Sequence, residues 1–131
     1  MDCVFCKIGR HQTNAIIVYE DNTVISFLDS EPINEGHILI IPKEHYLDAD
    51  EMPIELLVHI TEISQKIIKA IKIVYNPNGY SIMQNGGIFN DIGHYHLHIF
   101  PRYENDEFGW TYSNNTCKIS VEIAKNIIDN M

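Results

Sequence analysis

Residues 93–102 read "GHYHLHIFPR". Three of the chain's seven histidines, His94, His96 and His98, stand here at every second position. In an extended strand, side chains two apart point to the same face. The spacing therefore predicts a strand with three imidazoles in a row on one side. Tyr95, Leu97 and Ile99 fill the other side, which reads as a core face. Imidazoles alone on one face are not ordinary packing, so the row calls for a chemical use.

The neighbouring segments supply the sheet that such a strand needs. Residues 15–21 (AIIVYED) and 23–29 (TVISFLD) are rich in β-branched and aromatic residues, with a turn at Asp21-Asn22. Residues 31–36 read as loop and 37–42 (HILIIP) as a third strand stopped by Pro42. A long helix follows, with Pro53 suited to its first turn. Leu56, Leu57, Ile60, Ile63, Ile67, Ile71 and Val74 then recur at helical spacing. The stretch 76–79 (NPNG) ends it, and residues 80–85 read as a fourth strand. "CVFCKIG" (3–9) reads as a short helical turn and 103–117 as loop. Residues 118–130 read as a C-terminal helix with Ile119, Ile123 and Ile127 on one stripe. Hairpin-linked strands with inserted helices predict an α+β fold, a five-stranded antiparallel sheet in a single domain.

Composition narrows the function classes. The 131 residues suit one domain, and 45% hydrophobic content supports a core. A formal net charge of -9 disfavours a nucleic-acid or anionic-membrane surface. No apolar run reaches the ~20 residues that span a bilayer. No basic start followed by an apolar stretch suggests a signal peptide, so a cytoplasmic protein is expected. Its three cysteines are then not read as a disulfide framework.

Three uses of the histidine row compete. The rings are ordinary surface or core residues; they hold a metal, since imidazole is a common zinc ligand; or one is a nucleophile toward phosphorus, with neighbours holding the phosphate oxygens. Cys3 and Cys6 form a C-x-x-C that alone is a redox pair, a metal half-site or chance.

The row resembles the His-φ-His-φ-His-φ-φ signature of the histidine triad (HIT) superfamily of nucleotide hydrolases and transferases. "HYHLHIF" (94–100) carries it. "VFCKI" (4–8), "FLDSEPINEGHILIIPKEH" (27–45) and "QNGG" (84–87) match in family order. The resemblance implies that His96 attacks the α-phosphorus of a nucleoside phosphate derivative, giving a nucleotidyl-histidine that water hydrolyses to a nucleoside monophosphate such as AMP. His98 then bonds phosphate oxygens and His37 completes the site, with no catalytic metal. Asp29 matches an acid that accepts from ribose hydroxyls, and otherwise reads as a turn residue. Asn85 matches an asparagine near ribose and phosphate, and otherwise reads as loop chemistry. The resemblance also implies structural zinc on Cys3, Cys6, His45 and His94, with His11 as the rival for His45. It further implies a purine nucleotide substrate and a homodimer with a sheet continued across protomers. Cys117 reads as a small buried apolar residue, and His59 receives no role.

The chain departs from the family just before the row. Where members carry Gly-Gln-Ser/Thr/Glu-Val, it has "FNDIG" (89–93), placing Asn90 and Asp91 at the polar pair. Asp91 either points to solvent or suits a cationic or amine leaving group. Phosphoramidates, dinucleoside polyphosphates and adenylyl-sulfate-type anhydrides all remain open as substrates. The competing function is a nucleotide-binding regulatory or scaffold protein with little turnover.

Overall fold

The computed structural model describes residues 3–131. Five antiparallel strands form one sheet in the order β1-β2-β3-β5-β4. They are β1 (Ile17–Glu20), β2 (Val24–Leu28), β3 (Ile38–Pro42), β4 (Gly79–Met83) and β5 (Leu97–Arg102). Helix α1 (Val4–Gly9) precedes them, α2 (Ile54–Tyr75) joins β3 to β4, and α3 (Val121–Ile128) ends the chain.

Strand alternation splits the core in two. Val24, Ile38, Ile40, Tyr95 and Ile99 face α2, meeting Ile60, Ile63, Ile67 and Ile71. These four isoleucines recur at helical spacing, so one stripe of α2 covers the sheet. The alternate residues Ile25, Phe27, Leu39 and Ile41 meet Phe5 and Ile8 of α1 on the other face. The second face is only partly covered. Asp29, His37, His96 and His98 follow its two-residue rhythm, and β3–β5 register sets Leu39 opposite His98.

The long helix ends as the sequence predicts: Asn76 takes a left-handed conformation (φ 44°) and its N–H bonds the Lys72 carbonyl. Gly36, just before His37, has φ +88°, and a Cβ there would lie 2.4 Å from the Tyr75 ring. Only glycine suits that turn, which sets the entry angle of β3.

Two expectations are corrected. The predicted strand does not cover the whole histidine row, because β5 begins only at Leu97. Its pairing with β3 runs Ile38↔Ile99, Leu39↔His98 and Ile40↔Leu97. Pro42, nearing the end of that ladder, has no N–H to donate. The chain at Tyr95 bonds the Tyr46 carbonyl instead (2.7 Å). Cys117 is exposed rather than buried, since the segment between β5 and α3 packs under nothing at that point. Helix α3 begins only at Val121, so Ile119 of the predicted stripe precedes it, and Ile119, Ile123 and Ile127 are all exposed.

Candidate active site

The sheet face beside α1 opens into a cavity of about 940 Å³ lined by Phe5, Phe27, Asp29, His37, Asp91, His96 and His98 among others. β2 delivers Asp29 just past its end, the start of β3 delivers His37, and the row delivers the other two histidines.

Fixed backbone partners assign the ring protons. A carbonyl only accepts and an N–H only donates. His96 Nδ1 lies 2.8 Å from the His94 carbonyl, so Nδ1 carries the proton and Nε2 keeps a free lone pair. His96 is 3% exposed, and Phe5 packs edge-on against its ring at 5.2 Å. The free nitrogen is thus held in an orientation and reached through the cavity. His37 accepts the Ile33 N–H on Nδ1 (3.0 Å), so its proton sits on Nε2. That Nε2–H donates to His98 Nδ1 at 2.8 Å, leaving the Nε2–H of His98 as a donor. Burial is the main cause that pushes the His98 value down, to about 4, helped by repulsion from His96 and His37. Burial likewise lowers His37, while the Asp29 carboxylate opposes it. Both rings are therefore neutral at pH 7.

The two oxygens of Asp29 face different neighbours. One oxygen accepts the Glu31 N–H (2.9 Å), as a turn residue does, and the other lies 3.4 Å from His37 Nε2 and 3.8 Å from His98 Nδ1. Asp91 Oδ1 stands 3.7 Å from His96 Nε2. Asn85 and Asn90 are not among the described residues lining the cavity. Asn90 is buried and structural: its Nδ2 donates to the Leu47 carbonyl and its Oδ1 accepts from the Ile92 and Gly93 N–H groups. It shapes the loop that holds Asp91.

A second cluster lies beside the first. Cys3, Cys6, His45 and His94 bring their ligand atoms within 4.8 Å of one another. Cys3 Sγ is 3.4 Å and Cys6 Sγ 3.5 Å from His94 Nδ1, and Cys6 Sγ is 3.2 Å from His45 Nδ1. His94 gives its Nε2–H to the Pro42 carbonyl (2.8 Å), so Nδ1 is bare and aimed at the sulfurs. Tetrahedral zinc with bonds of about 2.0–2.3 Å places its ligands roughly 3.5 Å apart. The donor set and spacing fit that ion. Burial pushes the Cys6 thiol up and holds His94 neutral, so a cation here would offset the cost of a buried thiolate. The rival His11 lies away from this cluster, with Nε2 2.7 Å from Glu20.

Asp29, His37 and His98 also group closely, but they do not fit a metal. The Ile33 N–H occupies His37 Nδ1 and forces the proton onto Nε2, which leaves that ring no lone pair toward the cluster. Sequence reasoning missed His59, whose Nε2 lies 2.5 Å from Asp21 in the β1–β2 turn. Asp21 in turn accepts from the Tyr19 hydroxyl and the Thr23 and Val24 N–H groups. No local pattern signals a contact between a helix and a turn so distant in sequence.

Residues 10–105 match the HIT domain family model. The chain belongs to the HIT domain family. An uncharacterized HIT-like protein of Methanocaldococcus jannaschii is 42% identical over 106 residues, covering 79% of this chain and 81% of the relative. The adenosine 5'-monophosphoramidase of Schizosaccharomyces pombe is 35% identical, covering 83% of this chain and 80% of the relative. A HIT family crystal structure from Bacillus subtilis superposes with a TM-score of 0.86 at 33% identity, covering 99% and 94% of the two chains. A Zn-bound histidine triad protein from Mycobacterium smegmatis superposes with a TM-score of 0.76 at 32% identity, covering 88% and 85%. The HIT architecture thus accounts for the sheet, the long helix and the C-terminal helix.

Proposed function

We propose that this HIT protein is a nucleotide hydrolase acting at an α-phosphate through a nucleotidyl-His96 intermediate. The observation that carries the reading is the bare Nε2 of His96, locked by the His94 carbonyl and buried at the wall of a large cavity. A relative named adenosine 5'-monophosphoramidase supports it.

The lone pair of His96 Nε2 attacks the α-phosphorus, and the bond to the leaving group breaks. The His98 Nε2–H donates to a phosphate oxygen as charge builds. His37 holds His98 in the donating tautomer through the 2.8 Å bond. Water then attacks the phosphorus, returns the electron pair to Nε2 and releases a nucleoside monophosphate. Asp29 accepts from ribose hydroxyls with the oxygen that faces the histidines. The apolar wall of Phe5, Ile8, Phe27 and Leu39 takes a flat base, a purine by resemblance. Zinc on Cys3, Cys6, His45 and His94 closes a structural site with four protein ligands and ties α1 to the histidine row. The whole chain, 1–131, acts as a single histidine triad domain. Two copies pair through exposed apolar positions on the second half of α2, including Ile73 and Val74.

The test is product identification with His96→Ala and His96→Gly. Wild type is expected to release nucleoside monophosphate and, after alkaline quenching, to carry a nucleotidyl adduct on the peptide holding His96. Undiminished turnover in either variant would refute the mechanism. Nucleotide binding without turnover in wild type would support the scaffold alternative.

A further inference from the structure

The cavity has an electrostatic imbalance. Its lining includes the carboxylates Asp29, Glu31 and Asp91, and no lysine or arginine among the described residues. Asp29 accepts the Glu31 N–H of the turn it closes and has its other oxygen 3.4 Å from His37 Nε2. Asp91 is different. Its side chain is 84% exposed, yet one oxygen lies 3.7 Å from the nucleophilic Nε2 of a nearly buried His96. It lines the cavity and faces solvent beside that nitrogen. Its loop is held by Asn90, whose Oδ1 accepts from Ile92 and Gly93, so the carboxylate is positioned by a buried anchor. Ile92 lines the cavity beside it.

We infer that Asp91 determines leaving-group specificity: it favours nucleoside phosphates joined to an amine and disfavours those joined to a further phosphate. This rests on the nucleotidyl-His96 reading above and narrows its substrate class. The amine of a phosphoramidate leaves readily once the bridging nitrogen has taken up a proton from solvent. That nitrogen then carries a positive charge and N–H donors, which a carboxylate accepts. The lone pair of His96 Nε2 forms the new P–N bond. The old P–N bond breaks, its electron pair stays on the departing nitrogen, and a neutral amine leaves. Water then cleaves the nucleotidyl-histidine to nucleoside monophosphate, and one proton goes to solvent. A polyphosphate leaving group instead brings several negative charges beside a fixed carboxylate, with no lining lysine or arginine to compensate.

The experiment compares a nucleoside 5'-phosphoramidate of a primary alkylamine with a dinucleoside triphosphate, using the full-length chain. The readout is the ratio of kcat/KM for the two substrates in wild type, Asp91→Asn, Asp91→Ser and Asp91→Glu. An exposed charge is partly screened, so removing it should shift the ratio about tenfold toward the triphosphate. Asp91→Glu should keep the wild-type preference. Added salt should raise relative triphosphate turnover in wild type and leave the ratio of the Asn variant nearly flat. A ratio unchanged within about twofold in both neutral variants, with His96-dependent turnover intact, overturns the role of Asp91 alone. Release of nucleoside monophosphate from neither substrate by wild type overturns the functional reading, and the role of Asp91 with it.

Discussion

His94 and His96 stand two residues apart on the segment that leads into β5 and carry opposite free nitrogens. His94 gives its Nε2–H to the Pro42 carbonyl and leaves Nδ1 bare toward two sulfurs. His96 gives its Nδ1–H to the His94 carbonyl and leaves Nε2 bare toward the cavity. The same side chain two positions apart has different chemistry open to it, because different backbone carbonyls claim the proton. The carbonyl partner decides which nitrogen each ring leaves free, the one suited to a metal beside the sulfurs and the other to attack from the cavity wall.

Exchanging the two roles breaks the comparison most sharply. His96→Ala should reduce turnover by about a thousandfold or more, while zinc content and melting temperature stay close to wild type. His94→Ala should remove stoichiometric zinc and lower the melting temperature by roughly 10 °C, with activity falling because the row is no longer anchored. Elemental analysis and calorimetry on protein purified without chelators or added metal read both. Equal loss of zinc in the two variants would mean that the clusters are not separate.

Cys3→Ser with Cys6→Ser probes the metal cluster without touching the row. It should abolish zinc and destabilise the fold by several kcal/mol, on the order of 3–5. Turnover should suffer less than in His96→Ala. An unchanged melting temperature would remove the structural role assigned to the metal.

Gly36→Ala tests how the fold aims His37. A Cβ at φ +88° and 2.4 Å from the Tyr75 ring should cost about 2–4 kcal/mol in a denaturant titration. Turnover should fall with it, since His37 shifts against His98. Wild-type stability would show that the turn relaxes freely.

Acid separates the clusters by proton count. His98 in the unfolded chain takes its proton near the ordinary 6.5, and in the fold only near 4. Between these values the unfolded state binds more protons, so stability falls as pH drops through that window. The contribution is on the order of 1–3 kcal/mol. His98→Gln should flatten that part of the pH–stability curve, measured on the zinc-free cysteine variant so that metal loss does not contribute. The same slope in both proteins would contradict the burial of a neutral His98.

The smallest effect is expected far from both clusters. His59→Ala removes the partly exposed contact to Asp21 and should cost no more than about 1 kcal/mol, with turnover unchanged.

Local pattern carried much of this protein. Alternation in HILIIP and the isoleucine spacing of the long helix are period arguments, and both faces of β3 and the buried stripe of α2 follow them. The row itself was legible because a two-residue period puts His96 and His98 on one face whether or not the ladder continues. Its strand limit was not, since it depends on Pro42 standing nearly opposite Tyr95 across β3 and β5. The C-x-x-C was visible, but its choice of His45 over His11 is a matter of where α1 docks. Cys3 lies 91 positions from His94, a separation no local rule spans.

The sequence by itself therefore determined which residues are available and which strand face each occupies, because backbone periodicity acts over a few residues. Only the tertiary structure decided what each imidazole does. A ring's proton points to the carbonyl that the packed fold sets beside it, Pro42 for His94 and His94 for His96, or sits on the nitrogen opposite a donating N–H, as Ile33 imposes on His37. Those partners are long-range or turn-dependent, and hydrogen bonds act only over about 3 Å.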